Sequence, residues 1–331
     1  MEYKHAVTLG IDVFEVKEKA DLIYLDPPFG TQKNYSFTKG SDLSFEDTWN
    51  SKEEYVEWLH KVFKHLWDDC LNPNGIIYSH NNFDTNALLY AALGSNIRGK
   101  LISTIYWNRS HPKNNISRGW GNTADTLLMF AKGKNYFFQV EYGEPSDITK
   151  GTYSYTDDHG VYALTPITGE RNRIGHRFKY KDISPKFGGR YNSCAIEKLD
   201  SKNGIHFSDK PYDEKNNRNK PYKKKYLEDS KGPPIMNIWN DIHNITRSED
   251  DKRVYPTQKP TKFLKRIIQS SCPPGGTILD PFCGSFVTVK AAQELDNDYR
   301  TVSFDKSVAL EKIFPPRVTD VVFVKKALTN H

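Results

Sequence analysis

Two short segments carry the residue types needed to work on an exocyclic amino group beside a nucleotide-like cofactor. Asp26-Pro27-Pro28-Phe29 follows the apolar run Leu22-Ile23-Tyr24-Leu25, and Asp280-Pro281-Phe282-Cys283-Gly284-Ser285 follows Thr277-Ile278-Leu279. In the first, Asp26 and the Pro27 carbonyl can accept hydrogen bonds from both hydrogens of an –NH2 group, which aims its lone pair at an electrophile. Two prolines stiffen the turn, and Phe29 offers a face for a base, a contact worth roughly 1–3 kcal/mol. An Asp-Pro pair is also a common turn, so this segment alone does not decide the matter. In the second segment, a strand ends in Asp280, turns at Gly284 and enters a helix. Asp305 closes the next strand twenty-one residues after Gly284, the spacing at which an acid meets ribose hydroxyls. The turn lacks Gly-Lys-Ser/Thr, which excludes a triphosphate P-loop.

The elements that must position these residues read as alternating strands and helices. Strands are expected over Ala6–Val13, Ala20–Leu25, Gly75–Ser79, Leu101–Trp107, Asp125–Ala131, Thr277–Leu279 and Tyr299–Phe304. Ser51–Leu71 has helical spacing, with Tyr55, Leu59, Val62, Phe63, Leu66 and Cys70 on one face and Ser51 with Glu54 as a capping box. Asp84–Leu93, Thr261–Ser271 and Val287–Leu295 are further helices, the second with Phe263, Leu264, Ile267 and Ile268 inward. Asn72-Pro73-Asn74-Gly75 reads as a turn, and residues 30–50 as a mobile active-site loop. The alternation predicts an α/β fold with a mostly parallel sheet and helices on both faces. Ligands in such sheets sit at the carboxyl ends of the strands. From Gly133 to about Pro234 the pattern breaks into a polar stretch of short strands or loops.

The 331 residues suffice for one large α/β domain plus an insert, and a mean hydropathy of −0.70 is polar without implying disorder. From Arg171 to Tyr226 there are sixteen Lys/Arg against six Asp/Glu, an excess of ten cations. With +6 overall, the remainder carries a net −4. Localised positive charge suits a face that meets phosphates, or a solvated loop around Lys215–Lys225. The cysteines, Cys70, Cys194, Cys272 and Cys283, are scattered, so no metal site or disulfide framework is expected. No apolar run approaches the ~18–20 residues of a membrane span and no apolar signal core follows Met1, so a cytoplasmic protein is expected.

Residues 5–135 and 235–310 together resemble the beta-class amino-methyltransferases of DNA, which methylate N6 of adenine or N4 of cytosine. The resemblance rests on Leu22–Thr31, Asn122–Lys132, Trp239-Asn240-Asp241-Ile242, Tyr255-Pro256-Thr257-Gln258-Lys259-Pro260 and Leu279–Ser285, in that order. It implies a circularly permuted Rossmann-like domain, with a catalytic half (1–134), an inserted target-recognition region (135–234) and a cofactor half (235–331). S-adenosylmethionine is the implied cofactor. Asp305 would hold its ribose, Asp280 with the Phe282–Ser285 turn (Phe282, Gly284, Ser285) its methionine end, Asp12 its adenine, and Thr257 and Lys259 its carboxylate. Asp26, Pro27, Pro28 and Phe29 would form the catalytic pocket, with Asp26 also beside the cofactor. An aspartate-first motif is typical of adenine methylation. Double-stranded DNA is the implied partner, with a flipped base. A homodimer and a cognate restriction endonuclease belong to the same expectation. The family has glycine where this chain has Phe286, and a bulky side chain there is expected to press on the cofactor or push the loop outward. Two competing expectations follow: a catalytically weak or silent DNA-binding homologue, possible as a partner subunit, and an enzyme acting on N4 of cytosine or on an RNA base.

Overall fold

The computed structural model describes residues 4–30, 33–36, 44–109, 119–145, 147–168, 179–181, 183–184, 189–210, 213, 218–245, 257–295, 297–307, 310 and 321–325. The chain forms two compact units, Met1–Glu141 with Ile235–His331, and Tyr142–Pro234. The boundary thus falls after Glu141, not after residue 134. Residues 135–141 stay with the first unit because Gln139 N–H donates to the Ser270 carbonyl (2.8 Å), Ile235 N–H to the Glu141 carbonyl (2.9 Å), and Arg266 Nε to Glu141 Oε2 (3.2 Å).

In chain order the strands are β1 (His5–Leu9), β2 (Ala20–Leu25), β3 (Lys33–Ser36), β4 (Ser44–Asp47), β5 (Leu71–Asn81), β6 (Leu101–Asn108), β7 (Ala124–Ala131), β8 (Tyr155–Asp157), β9 (Gly160–Pro166), β10 (Ile205–His206), β11 (Tyr222–Tyr226), β12 (Ile238–Trp239), β13 (Thr277–Asp280), β14 (Arg300–Asp305) and β15 (Val321–Lys325). The helices are α1 (Lys52–His65), α2 (Phe83–Ala92), α3 (Ser95–Arg98), α4 (Asp147–Gly151), α5 (Ser193–Asp200), α6 (Thr261–Ser271) and α7 (Val287–Glu294).

Among the described residues of the first unit, nine strands make one sheet in the order β12–β6–β7–β5–β2–β13–β14–β1–β15. All neighbours are parallel except β7, which runs antiparallel to both β5 and β6. Period-2 alternation sorts the side chains between two cores. Ile23 and Leu25 of β2 face the core shared with Tyr55, Leu59, Phe63 and Leu89 of α1 and α2. Leu22 and Tyr24 face the other, shared with Phe263, Leu264, Ile267, Val287 and Ala291 of α6 and α7. The sheet is therefore covered on both faces, the Rossmann-like arrangement expected. At β2/β13 the chain order diverges to either side, which places the switch-point crevice between the loops that follow Leu25 and Asp280.

Several local details differ from the expectation. The first strand stops at Leu9, because Gly10 takes φ +75° and Asp12 caps a 3-10 turn over Val13–Glu15. Asn72–Gly75 is no turn between elements but an irregularity inside β5. Ala20 pairs with Leu71 and Leu22 with Ile76, so two steps on β2 face five on β5. The helix from Ser51 gives way after His65 to a π turn, Leu66–Cys70. Ser51 Oγ accepts the Glu54 N–H (3.1 Å), but Glu54 reaches back to the Asn50 N–H (2.9 Å), one residue before the expected box partner. Within residues 30–50, where a mobile active-site loop is expected, β3 and β4 pair antiparallel, and residues 31–32 and 37–43 lie outside the described residues. β15 was not foreseen.

Tyr142–Pro234 contains a four-stranded antiparallel sheet, β10–β11–β9–β8. Ile167, Ile183, Ile196 and Ile205 form its small core. No helix among the described residues is long and apolar enough to cross a membrane.

Candidate active site

Strand register assembles the first half of the site. Leu25 pairs with Ser79, so one residue further on, at the carboxyl ends of β2 and β5, Asp26 and His80 are neighbours. β7 starts at the same edge because it is antiparallel, and Trp107 pairs with Asp125, which brings Arg109 alongside. Four charged or titratable groups therefore meet. His80 Nδ1 lies 3.6 Å from Asp26 Oδ1, its Nε2 lies 3.6 Å from Asp125 Oδ2, and Arg109 Nε lies 3.1 Å from Asp125 Oδ2. The Tyr24 hydroxyl sits 2.7 Å from His80 Nδ1, the same nitrogen that Asp26 Oδ1 approaches. His80 is fully buried, with Phe263 at 5.3 Å, Phe29 at 5.6 Å and Trp107 at 5.8 Å between ring centroids.

Burial dominates the electrostatics. Desolvation lowers the His80 pKa, which the Asp26 charge opposes and Lys259 reinforces. It raises the Tyr24 hydroxyl well above its ordinary value, with Asp26 adding to the effect. Desolvation also lowers Arg109, against the pull of Asp125. Lys259, only 8% exposed, places Nζ 2.5 Å from Asp26 Oδ2 and 3.4 Å from the Thr257 carbonyl. The same ammonium lies 5.4 Å from the Phe29 ring centre. The Asp26 loop is fixed from α1, where the Tyr55 hydroxyl donates to the Pro28 carbonyl, and from β4, where Asp47 Oδ1 accepts the Gly30 N–H at 2.8 Å.

The second half is held differently. Asp280, 2% exposed, accepts the Phe282 N–H (3.2 Å) on one oxygen and the Thr288 hydroxyl (2.5 Å) on the other. Burial raises it to about 7. Asp305 accepts the Gly284 N–H (3.1 Å) and the Ser307 N–H (2.9 Å), and burial raises it to about 6. Gly284 has φ +42° and Cys283 N–H donates to the Phe304 carbonyl at 2.9 Å, so the turn is tied to β14. The Phe282 ring packs edge-on to Trp58, and Ser285 is buried.

Phe286 also adopts a left-handed conformation, φ +60°, which explains why glycine suits this position. The side chain does not push the loop outward. It is fully buried among Val7, Cys283, Val289 and Leu310. A backbone cost of roughly 1–2 kcal/mol for the left-handed conformation is set against burial of a whole aromatic ring.

Of the residues singled out in the sequence, Asp26, Phe29 and Lys259 come together, as do Gly284 and Asp305. Lys259 contacts Asp26, on the catalytic side. Thr257 is exposed. The exposed Asp12 uses its carboxylate to cap Phe14 N–H (3.1 Å), while Gly10 N–H donates to the Asp305 carbonyl (2.8 Å) and so ties that segment to β14. Thr31, Tyr255 and Pro256 lie outside the described residues. Sequence reasoning missed His80, Asp125, Arg109 and Tyr24. No local sequence signal marks His80, because it meets Asp26 only through the pairing of β2 with β5.

In the second unit, part of the positive charge is used internally. Lys224 pairs with Asp157 (2.6 Å), which also accepts from Tyr226 (2.9 Å), and Lys181 pairs with Asp200 (2.8 Å). The Lys224 hydrogen bond holds the Asp157 carboxyl down at about 2. Arg171, Arg173, Arg177, Lys186 and Lys215 lie outside the described residues.

Residues 20–311 match the DNA methylase family N6_N4_Mtase. Three curated relatives are similar over most of this chain. They are the type II methyltransferase M.EcaI of Enterobacter cloacae (27% identical, 89% of this chain, 64% of the relative), the type III restriction-modification enzyme StyLTI Mod subunit of Salmonella typhimurium (23%, 85% and 47%) and the DNA adenine methyltransferase YhdJ of Escherichia coli (23%, 82% and 67%). The chain thus spans between about half and two thirds of the length of these relatives. With the match covering most of its length, the chain belongs to the N6/N4 DNA methylase family.

Proposed function

We propose that this chain transfers a methyl group from S-adenosylmethionine to N6 of an adenine flipped out of duplex DNA. The observation that carries the reading is Asp26. It stands at the carboxyl end of a central strand, beside the switch point, on a loop clamped by Tyr55 and Asp47, with the Phe29 ring next to it. A carboxylate and a neighbouring carbonyl fixed in this way can take both hydrogens of an amino group, leaving its lone pair directed outward. The aspartate-first motif favours adenine over cytosine, and the name of the YhdJ relative supports the same choice.

When bound, the cofactor supplies an electrophilic methyl group on a sulfonium. The residues present fit it. Each Asp305 oxygen accepts one backbone N–H and retains a lone pair for a ribose hydroxyl. The Gly284 turn lets a ligand approach the backbone closely, and Phe286 is turned into the core. That burial removes the argument for a silent scaffold, which rested on Phe286 obstructing the cofactor. Phe29 supplies a stacking face for the flipped base, and Lys259 Nζ meets Asp26 Oδ2 at 2.5 Å. The basic unit Tyr142–Pro234 is the natural surface for the duplex. The name of the StyLTI relative extends the proposal to a restriction-modification setting with a nuclease partner.

The test is transfer of labelled methyl from S-adenosylmethionine to unmethylated duplex DNA, followed by nucleoside digestion. Label in N6-methyladenine is the expected result. Label in N4-methylcytosine would overturn the choice of base, and absence of label in any nucleoside would overturn the enzymatic reading.

A further inference from the structure

The buried histidine has no part in the reading so far, although it lies against its central residue. His80 is placed between two carboxylates, Asp26 on its Nδ1 side and Asp125 on its Nε2 side, each at 3.6 Å. Neutral imidazole carries a single N–H. It cannot present a proton in both directions, so with the ring neutral one carboxylate always faces a lone pair. The Tyr24 hydroxyl shares the difficulty, since it sits 2.7 Å from the Nδ1 that Asp26 also approaches and has one proton to give. One additional proton on the ring satisfies every member: Nε2–H faces Asp125, Nδ1–H donates to the Tyr24 oxygen, and the Tyr24 hydroxyl donates to Asp26. Burial holds the ring short of that proton at rest, opposed by Asp26 and Asp125 and reinforced by Lys259. Lys259 and Arg109 are cations beside Asp26 and Asp125. The aromatic walls of Phe29, Trp107 and Phe263 exclude water.

An amine nitrogen that gains a methyl group becomes cationic and must release one proton. From this geometry, and resting on the adenine reading above, we propose that His80 is the final holder of that proton, receiving it from Asp26 through Tyr24. The N6–H bond breaks and an O–H bond forms on Asp26. The Asp26 proton then passes to the Tyr24 oxygen as the Tyr24 proton passes to Nδ1. Asp26 is left ionised, Tyr24 neutral and His80 an imidazolium facing Asp125. No electron pair leaves the chain of hydrogen bonds, and no further reactant is required. His80 touches neither base nor cofactor in this scheme. It is a positioning residue acting through Tyr24 and Asp26, and Asp125 with Arg109 fixes its orientation.

The intact protein tests this in two ways. Nitrogen-15 NMR of the imidazole groups in the protein alone should find His80 neutral near pH 7.5, with its proton on Nε2 and with Nδ1 accepting a hydrogen bond that disappears in Tyr24→Phe. A proton on Nδ1 would overturn the proposal without reference to catalysis. Single-turnover methyl transfer between pH 5 and 8 should show an acid limb below the ordinary histidine range, because the ring must start neutral. Tyr24→Phe and His80→Gln should each lower the rate roughly 10- to 100-fold and abolish that limb, with DNA retention unchanged. Asp125→Asn should move the limb to still lower pH, because a carboxylate that favours the imidazolium has been removed. This shift is one that a merely structural role would not produce. Wild-type rate and profile in His80→Gln would overturn the relay alone. Absence of transfer by the wild-type protein would overturn the adenine reading and the relay with it. Should His80→Gln fail to fold, Tyr24→Phe decides, since it removes only a hydroxyl.

Discussion

Among the described residues, the hydrogen-bond donors to the Asp280 and Asp305 carboxylates are neutral: two backbone N–H groups and a hydroxyl for the turn, and a further backbone N–H beyond β14. Around Asp26 the partners are themselves ionisable: Lys259, His80 and Tyr24, with Asp125 and Arg109 behind them. Both regions lie at the carboxyl edge of one sheet, yet they are suited to different work. Neutral donors brace a backbone turn and keep its shape whatever else is bound, but they stabilise the charge poorly, so burial raises both acids. Ionisable partners can exchange protons and charge as a reaction proceeds. The first region is a rigid cradle. The second is a cluster whose protonation can change.

The largest effect should come from the cluster. Asp26→Ala should lower methyl transfer by about 10³-fold or more, the scale of losing a preorganised partner of the reacting group, while a DNA-retention assay remains unchanged. Full activity in that variant would erase the distinction between the two regions. The next effect belongs to the cradle and concerns stability. Asp280 has its pKa raised from 3.8 to about 7, so the folded state holds its proton more tightly than the unfolded chain does. Its contribution is fully present below pH ~3.8 and is lost as pH rises through about 7. Asp280→Asn should therefore gain on the wild type in urea unfolding across that window, by at most about 4 kcal/mol. A pH-independent difference would show that the acid is not held protonated by its burial.

Third, Phe286→Gly should relieve the left-handed backbone yet empty a core site. Removing a buried phenylalanine costs about 3–5 kcal/mol and the relief returns roughly 1–2, so a net loss of about 1–4 kcal/mol is expected in thermal or chemical melts. A stabilised variant would mean that the ring is poorly accommodated after all. The smallest effect should be Tyr55→Phe, which removes the hydroxyl clamping the Pro28 carbonyl. It should cost about 1 kcal/mol of stability, and its effect on transfer should exceed any effect of Asp12→Ala, whose exposed carboxylate only caps a 3-10 turn.

Local chemistry made much of this legible beforehand. The amphipathic spacing of Phe263, Leu264, Ile267 and Ile268 gave α6 its observed limits, and all four side chains are fully buried. The segments ending in Asp26, Asp280 and Asp305 read as strand ends because apolar runs stop there at proline or acid, and each ends or directly follows a strand. Asn72–Gly75 misled for the same reason it was noticed: Pro and Gly mark a turn, and the strand simply carries them as an irregularity. His80 could not be singled out, since Ile-Tyr-Ser-His-Asn is unremarkable until β5 is known to lie beside β2. Phe286 was misjudged because sequence indicates how bulky a residue is but not which way it points.

What the sequence determined by itself was the inventory of the central sheet: the strands that end at the acids, the amphipathic helices over them, the turn that carries the glycine, and hence the family. These follow from periodicity and turn chemistry, which act over a few residues. Tertiary structure alone decided the partners. Lys259 lies 233 residues from Asp26 along the chain and 2.5 Å from it in space. His80 acquires two carboxylates only because one strand is parallel to β5 and the other antiparallel to it. The cost of placing charge in a dry interior depends on what surrounds it from every side, and that surrounding is fixed only when distant strands have paired.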